Sequence, residues 1–179
     1  VLLTPKDYEY RINMAQACMV IVDTANAEKV DTIRGNCQSL QHSMVLGAPR
    51  PDWVDYATAI ANASETFTKA LTRSQDPAMI YFTSATTGGP KMVLHTHASY
   101  PRAHRGTGKY WLDLQSGDLH WNLSDTGWAK AAYSNLFGPW RMGAAVFIQR
   151  STGRFDAQET LRLLEQHGIT TFCAPPTAY

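Results

Sequence analysis

The sequence predicts an α/β fold in which a mostly parallel sheet is flanked by helices. Short apolar runs alternate along the chain with stretches that have helical spacing. The apolar runs are also continuous rather than alternating with polar residues, which is typical of strands buried on both faces. With 179 residues, of which 44% are hydrophobic and 17% charged, the chain is long enough and apolar enough for a sizeable core.

The first elements are predicted from helix-start signals and apolar runs. Thr4 suits an N-cap position and Pro5 the first helical turn, so a helix is expected from there to about residue 17. Residues 23–26 are expected to form a turn. The other predicted elements before residue 70 are strands at residues 18–22 and 42–46 and helices at residues 27–34 and 53–63.

The second half continues the alternation. Residues 69–76 are polar and read as a surface connection. Beyond them, strands are predicted at residues 78–83, 119–123, 144–148 and 169–173, and helices at residues 97–112, 126–136 and 156–167. No repeat or linker is visible, so residues 1–179 are treated as one domain.

The composition excludes several classes of protein. Lys plus Arg is 16 and Asp plus Glu is 15, so the chain lacks the basic surface that nucleic-acid binding needs. No apolar run approaches the roughly 20 residues needed to span a bilayer. The three cysteines are far apart and lack metal-ligand spacing, which favours reduced thiols inside a cell.

Residues 83–91 are the stretch with the clearest chemistry. Four hydroxyl residues, two glycines and a lysine follow the predicted strand at 78–83. Hydroxyls, bare glycine N–H groups and a mobile cation are the groups that bind polyphosphates, and ligands of open α/β sheets bind beyond the carboxyl ends of strands. The stretch is not a Walker A loop, because Met92 follows Lys91. A polar surface turn is the alternative that composition alone leaves open.

The order of these residues resembles the phosphate loop of the adenylate-forming (AMP-binding) superfamily. Lys91-Met92 and His95-Thr96-His97 are similar to the branch of medium-chain and aromatic acyl-CoA synthetases. The same branch is matched by residues 121–128 (Trp-Asn-Leu-Ser-Asp-Thr-Gly-Trp), 138–144 and 174–179 (Ala-Pro-Pro-Thr-Ala-Tyr). The resemblance spans the chain but is dense only from Tyr81 onward.

The resemblance implies an enzyme that uses ATP, Mg²⁺ and CoA to convert a carboxylic acid to an acyl-adenylate and then to a thioester. It implies that the phosphates of ATP are bound by Thr83, Ser84, Ala85, Thr86, Thr87, Gly88, Gly89, Pro90 and Lys91. Thr86 or Thr87 would lie beside the magnesium ion. The acyl or pantetheine pocket would be lined by Trp128, Ala174, Pro175, Pro176 and Thr177. A core aromatic is an equally good interpretation of Trp128.

The chain departs from the family pattern in two ways. Ala85 stands where the family has glycine, and a Cβ there costs about 1–2 kcal/mol if the backbone is left-handed. The later motifs of the family, which bind adenine and ribose and supply the catalytic lysine, are not in this sequence. We therefore expect an internal fragment of the large domain, inactive by itself. An adenylating enzyme that does not use CoA and a truncated nucleotide- or partner-binding module remain alternatives.

Two further groups carry weaker signals. His95 and His97 have the spacing of two metal ligands on an extended segment, but no third ligand is suitably placed. A basic cluster of Arg102, His104, Arg105 and Lys109 reads as a solvated helix face, with a CoA phosphate contact as the alternative. The cytoplasm and the mitochondrial matrix are both compatible with the sequence, and neither the acid nor the oligomeric state is indicated.

Overall fold

The computed structural model describes residues 3–83, 89–150 and 155–178. The chain divides into two compact units. The first comprises residues 1–71 and 80–93, and the second comprises residues 72–79 and 94–179. No shift in composition along the sequence marks this division.

The first unit holds a three-stranded parallel sheet in the order β1-β2-β3. Its elements are α1 (Pro5–Ala15), β1 (Met19–Asp23), α2 (Thr24–Asp31), β2 (His42–Leu46), β3 (Val54–Asp55) and α3 (Tyr56–Ala61). Ala27 and Val30 of α2 are fully buried against Val45 and Trp53. This apolar cluster packs α2 onto one face of the sheet, as the α/β pattern requires.

Aspartate caps decide where two helices of this unit begin. The carboxylate of Asp23 accepts a hydrogen bond from the Asn26 N–H at 2.9 Å, so α2 starts at Thr24, where the sequence predicted a turn. Asp55 caps α3 in the same way through the Thr58 N–H at 2.8 Å. The predicted start at Trp53 was wrong, because Trp53 joins the buried cluster instead.

A two-stranded sheet is formed by β4 (Pro77–Thr83) and β5 (Lys91–Thr96). The sequence predicted β4 within one residue. It did not predict β5, because residues 91–96 begin and end with polar side chains and enclose only three apolar residues.

The second unit holds another three-stranded parallel sheet, in the order β7-β6-β8. Its elements are α4 (Ser99–Gly106), β6 (Leu119–Asn122), α5 (Ala129–Ala132), α6 (Gly138–Met142), β7 (Ala145–Val146), α7 (Ala157–Gln166) and β8 (Thr171–Cys173). Trp121 of β6 makes edge-to-face contacts with Phe147 and Phe172, at centroid distances of 5.1 and 5.3 Å. Phe147 directly follows β7 and Phe172 lies in β8, so both outer strands are packed against the central strand β6 through Trp121.

Two helices of the second unit are shorter than predicted. Residues 97–112 and 126–136 were expected to be helical throughout, but α4 and α5 each pass into a π-helical turn, at Thr107–Trp111 and Tyr133–Phe137. The turns bring Gly108 close to Gly138: a Cβ on Gly108 would lie 2.7 Å from the Gly138 carbonyl oxygen. This close approach is compatible with glycine and with no larger residue.

The predicted α/β class is confirmed, since helices alternate with strands and four strand pairs are parallel. The strands belong to three separate sheets, however, where the sequence suggested one. The strands predicted at 144–148 and 169–173 are also shorter, at two and three residues. Within the described ranges, no helix has the length and apolar character needed to cross a bilayer.

Candidate functional site

The predicted phosphate loop connects β4 to β5. Thr83 is the last residue of β4 and Lys91 the first of β5. The Thr83 hydroxyl donates a long hydrogen bond of 3.5 Å to the Lys91 carbonyl oxygen, so the two ends of the loop lie side by side. Residues 84–88, which include Ala85, Thr86 and Thr87, lie outside the described residues. The structure therefore places Thr83, Gly89, Pro90 and Lys91 of the nine predicted phosphate ligands.

The side chains at the two ends are available to a ligand. Thr83 and Lys91 are both exposed. Within the described ranges, the Lys91 ammonium group makes no ion pair or hydrogen bond with another side chain. A solvated lysine of this kind can turn towards an anion without first breaking a protein contact.

Helix α1 contacts the far end of the loop. The Tyr10 hydroxyl donates a hydrogen bond to the Pro90 carbonyl oxygen at 2.9 Å. The same ring makes an edge-on contact with Phe82, one residue before Thr83, at a centroid distance of 6.3 Å. The sequence analysis did not single out Tyr10, since a tyrosine on an amphipathic helix carries no local signal of its tertiary partner.

The predicted acyl-pocket residues follow β6 and β8, which are parallel neighbours. The Leu123 N–H donates to the Cys173 carbonyl oxygen at 2.8 Å, so the segments that lead to Trp128 and to Ala174 leave the sheet side by side. Trp128 is 71% exposed, so the core interpretation of this residue was wrong. Pro175, Pro176 and Thr177 are exposed, and Ala174 is half-buried.

An Asx turn sets the backbone ahead of Trp128. The Asp125 carboxylate accepts a hydrogen bond from the Gly127 N–H at 2.6 Å, and the Asp125 carbonyl accepts from the Trp128 N–H at 3.1 Å. The indole is thereby presented at the start of α5 without itself being packed. Both units hold predicted site residues: residues 83–91 belong to the first unit, and Trp128 and residues 174–177 belong to the second.

Buried polar groups on β6 were missed by sequence reasoning. His120 is 1% exposed, and its Nδ1 lies 2.8 Å from the Thr171 hydroxyl. Both amide atoms of Asn122 are buried without a hydrogen-bond partner among the described residues. Burial lowers the pKa of His120, against smaller opposing effects of the Ser134 backbone and Asp118. The signal was available, because His120 and Asn122 stand two residues apart and so share one face of the strand.

Two histidines of the weaker predictions pack with aromatic rings, while His97 is exposed. His95 contacts Tyr100 at a centroid distance of 4.7 Å, and His104 stacks on Tyr133 at 5.0 Å. Burial lowers the pKa of His104, and His95 adds to that effect. His104 thus leaves the predicted basic cluster, while Arg102, Arg105 and Lys109 are exposed. In the part of the chain that the structure describes, no three His, Cys, Asp or Glu side chains are grouped to hold a metal ion.

A strand that leads into a loop rich in hydroxyl residues, glycine and lysine, in an α/β fold with parallel sheets, is typical of nucleotide-binding proteins. The family model described as AMP-binding enzyme matches residues 1–179, and the chain belongs to this family. This agrees with the resemblance found in the sequence.

Individual relatives point to one branch of the family. The chain is 40% identical over 178 residues to the mouse protein "Acyl-coenzyme A synthetase ACSM3, mitochondrial". The alignment covers 99% of this chain and 30% of that protein. Two solved structures align with a TM-score of 0.82: the anthranilate CoA ligase AuaEII in complex with anthranoyl-AMP (28% identity, 96% of this chain, 33% of the other) and a Brucella canis acyl-CoA synthetase (25%, 99% and 32%). The chain thus spans about a third of the length of the relatives it matches.

Proposed function

We propose that this chain is part of an ATP-dependent acyl-CoA synthetase and supplies residues that hold the phosphates of its MgATP substrate. The observation that carries the proposal is the junction of β4 and β5, where Thr83 is bonded to Lys91 and both side chains face solvent. The names of the relatives support the use of CoA over an adenylating enzyme that does without it.

The proposed reaction proceeds in two steps, adenylation of the acid and transfer of the acyl group to CoA. A carboxylate oxygen attacks the α-phosphorus of ATP, the bond to the β-phosphate oxygen breaks, and pyrophosphate leaves. The CoA thiolate then attacks the acyl carbonyl carbon and AMP leaves, with the thiol proton passing to solvent. In the first step negative charge builds on the departing pyrophosphate, and preorganised donors that meet this charge lower the barrier.

Residues 83–91 would supply those donors. Lys91 contributes a positive charge, Thr83 a hydroxyl, and Gly89 a backbone N–H that a ligand can approach closely. Thr86 or Thr87 would contact the magnesium ion that arrives with ATP. This assignment rests on the resemblance for residues 84–88 and on the described geometry for the ends of the loop.

Trp128 and residues 174–177 would line the acyl or pantetheine pocket. The exposed indole and the neighbouring exits from β6 and β8 support this role, because an apolar wall at the carboxyl edge of a parallel sheet is a common ligand position. The mitochondrial location named for the mammalian relatives favours the mitochondrial matrix for this protein too.

The test is a thioester assay on the full-length protein encoded by the reading frame that contains this chain. The protein is incubated with MgATP, CoA and a panel of straight-chain, branched and aromatic acids, while pyrophosphate and acyl-CoA are measured separately. We expect both products with at least one acid. Pyrophosphate without thioester would indicate an adenylating enzyme that does not use CoA. Absence of both products for every acid would favour the inactive nucleotide- or partner-binding module.

A further inference from the structure

Tyr10 bridges the two described ends of the predicted phosphate loop. Its hydroxyl donates to the Pro90 carbonyl oxygen at 2.9 Å, and its ring contacts Phe82 on the other side of the loop. The hydroxyl and its acceptor are 80 residues apart in the sequence. One side chain from α1 therefore contacts the residue before Thr83 and the residue before Lys91.

Gly89 is shaped to accept this tyrosine. A Cβ on Gly89 would lie 3.1 Å from the Tyr10 hydroxyl oxygen and 3.2 Å from the ring carbon that carries it. Both distances are shorter than an ordinary contact, so any larger residue would push the ring and the loop apart. The glycine that the phosphate-loop pattern contains thus has a second use, which is to let Tyr10 reach Pro90.

Helix α1 is itself well anchored, so it can serve as a support. Thr4 and Asp7 form a reciprocal capping box at its first turn, and the Thr4 hydrogen bonds hold the pKa of Asp7 below its usual value. Ile12, on the side that faces the core, is buried with Ile33 and Cys37. A support fixed at its first turn and along its buried side restrains whatever it contacts.

Arg11 adds a second contact between α1 and Phe82, near the end of β4. Its guanidinium lies 5.5 Å from the centroid of the Phe82 ring, and its Nη1 donates to the Asp7 carbonyl oxygen at 3.0 Å. Phe82 is therefore held by two consecutive residues of α1. The Tyr10 ring would keep its contact with Phe82 even without its hydroxyl, whereas the hydrogen bond to the Pro90 carbonyl oxygen requires the hydroxyl.

We propose that Tyr10 is a positioning residue for ATP, which holds the Pro90 carbonyl so that Gly89 and Lys91 are already in place when the phosphates arrive. The inference rests on the proposed function. A loop that is already held in place loses less conformational freedom when its ligand binds. The hydrogen bond therefore stabilises the ATP complex and does not affect the binding of the acid or of CoA.

The test compares Tyr10→Phe with the wild type in the full-length enzyme. The substitution keeps the ring and its Phe82 contact and removes the bond to Pro90. A neutral hydrogen bond corresponds to about a two- to tenfold change in an equilibrium constant, so we expect KM for ATP to rise by that factor. KM for the acid and for CoA should not change, and the melting temperature should fall by no more than about 2 °C, because one hydrogen bond is a small part of the stability of a large protein.

Tyr8→Phe is the matched control. Tyr8 lies on the same helix and is half-buried, and its hydroxyl makes no hydrogen bond to any residue that the structure describes. Its loss should leave all three KM values unchanged. Gly89→Ala should raise KM for ATP in the wild type but add little in a Tyr10→Ala background, where the crowded ring is gone.

The outcomes separate the two proposals. An active enzyme in which Tyr10→Phe leaves KM for ATP unaltered overturns the inference and leaves the proposed function standing. The inference is also overturned if all KM values and the melting temperature shift together, since that is the mark of a general structural role. A wild-type enzyme that makes neither pyrophosphate nor thioester overturns the proposed function and this inference with it.

Discussion

Polar side chains in this chain differ in whether their hydrogen-bonding groups are satisfied, and that difference separates ligand-binding candidates from stability liabilities. Lys91 and Thr83 are exposed at the ends of the predicted phosphate loop, where solvent and, for Thr83, the Lys91 carbonyl oxygen satisfy their polar groups until a ligand arrives. Asn122 is 3% exposed, and neither of its amide atoms has a partner among the described residues. A substitution at an exposed position of the first kind should lower activity, whereas an apolar substitution at a buried position of the second kind should raise stability.

Lys91→Ala is expected to slow adenylation in the full-length enzyme. Loss of one hydrogen bond to a charged group costs about 1.5–3 kcal/mol, which corresponds to about a ten- to a hundredfold drop in rate. Pyrophosphate release at saturating acid is the measurement. Lys69→Ala, at another exposed lysine of the first unit, is the control and should match the wild type. Wild-type rates in Lys91→Ala would exclude Lys91 as a phosphate ligand.

Asn122→Leu is expected to stabilise the fold. A buried amide without partners costs about 1–3 kcal/mol, and an apolar side chain of similar size removes that cost. Urea unfolding should therefore show a higher free energy of unfolding. Thr171→Val should show the reverse, because it removes the partner of His120 Nδ1. A destabilised Asn122→Leu variant would mean that the amide is bonded in solution, to a water molecule or to a ligand.

At the scale of helices and strands, the sequence was informative where a local signal determines the outcome. Thr4 and Pro5 predicted the start of α1 because capping is a contact between near neighbours. The start of α2 was predicted three residues too late although its cap is equally local, because Asp23 is both the last residue of β1 and the cap, and no turn separates the two elements. The strand β5 was missed because its apolar run is only three residues long. The π-helical turns were missed because they pack against residues distant in sequence, as Gly108 does against Gly138.

Asp31 links two elements through contacts that depend on pH. At the end of α2 its carboxylate accepts hydrogen bonds from Arg50 Nε at 2.7 Å and from Trp53 Nε1 at 2.9 Å. Burial alone would raise the pKa of Asp31, but these hydrogen bonds and the nearby arginines outweigh it, so the pKa is lowered. A carboxyl group with a lowered folded pKa adds stability above its unfolded pKa of about 3.9 and loses it as the pH falls through the folded value.

Asp31→Asn is accordingly expected to cost up to about 1 kcal/mol of unfolding free energy at neutral pH, as for a partly exposed ion pair. The difference from the wild type should shrink as the pH is lowered below about 3.9, where the wild-type carboxyl group also becomes neutral. Urea unfolding at several pH values measures this. Glu28→Gln, on the exposed side of the same helix, is the control for the loss of one negative charge. A cost for Asp31→Asn that stays constant with pH would contradict the assignment.

At the scale of the whole molecule, the sequence identified the family more readily than the arrangement of the site. The loop at 83–91 and the segments at 121–128 and 174–179 are short motifs whose residue order is itself the signal. The structure adds what such motifs do not encode. It pairs the exits of β6 and β8, exposes Trp128 and brings Tyr10 to Pro90, all of which are contacts between distant parts of the chain.

Exposed apolar side chains lead to a prediction about the 179-residue chain in isolation. In the first unit, Phe67 is 86% and Leu71 96% exposed, in a stretch without regular secondary structure. Large apolar side chains that remain in water favour association, so we expect the isolated chain to form concentration-dependent oligomers. Light scattering coupled to size exclusion at several concentrations measures this.

Two double variants test whether these two side chains cause the association. Replacing Phe67 and Leu71 by Asp should shift the chain towards monomer, while Thr68→Asp with Ala70→Asp adds the same charge and leaves both large apolar side chains in place. If the two double variants behave alike, charge rather than apolar contact controls association, and a wild-type monomer at all concentrations would show that these side chains are not adhesive.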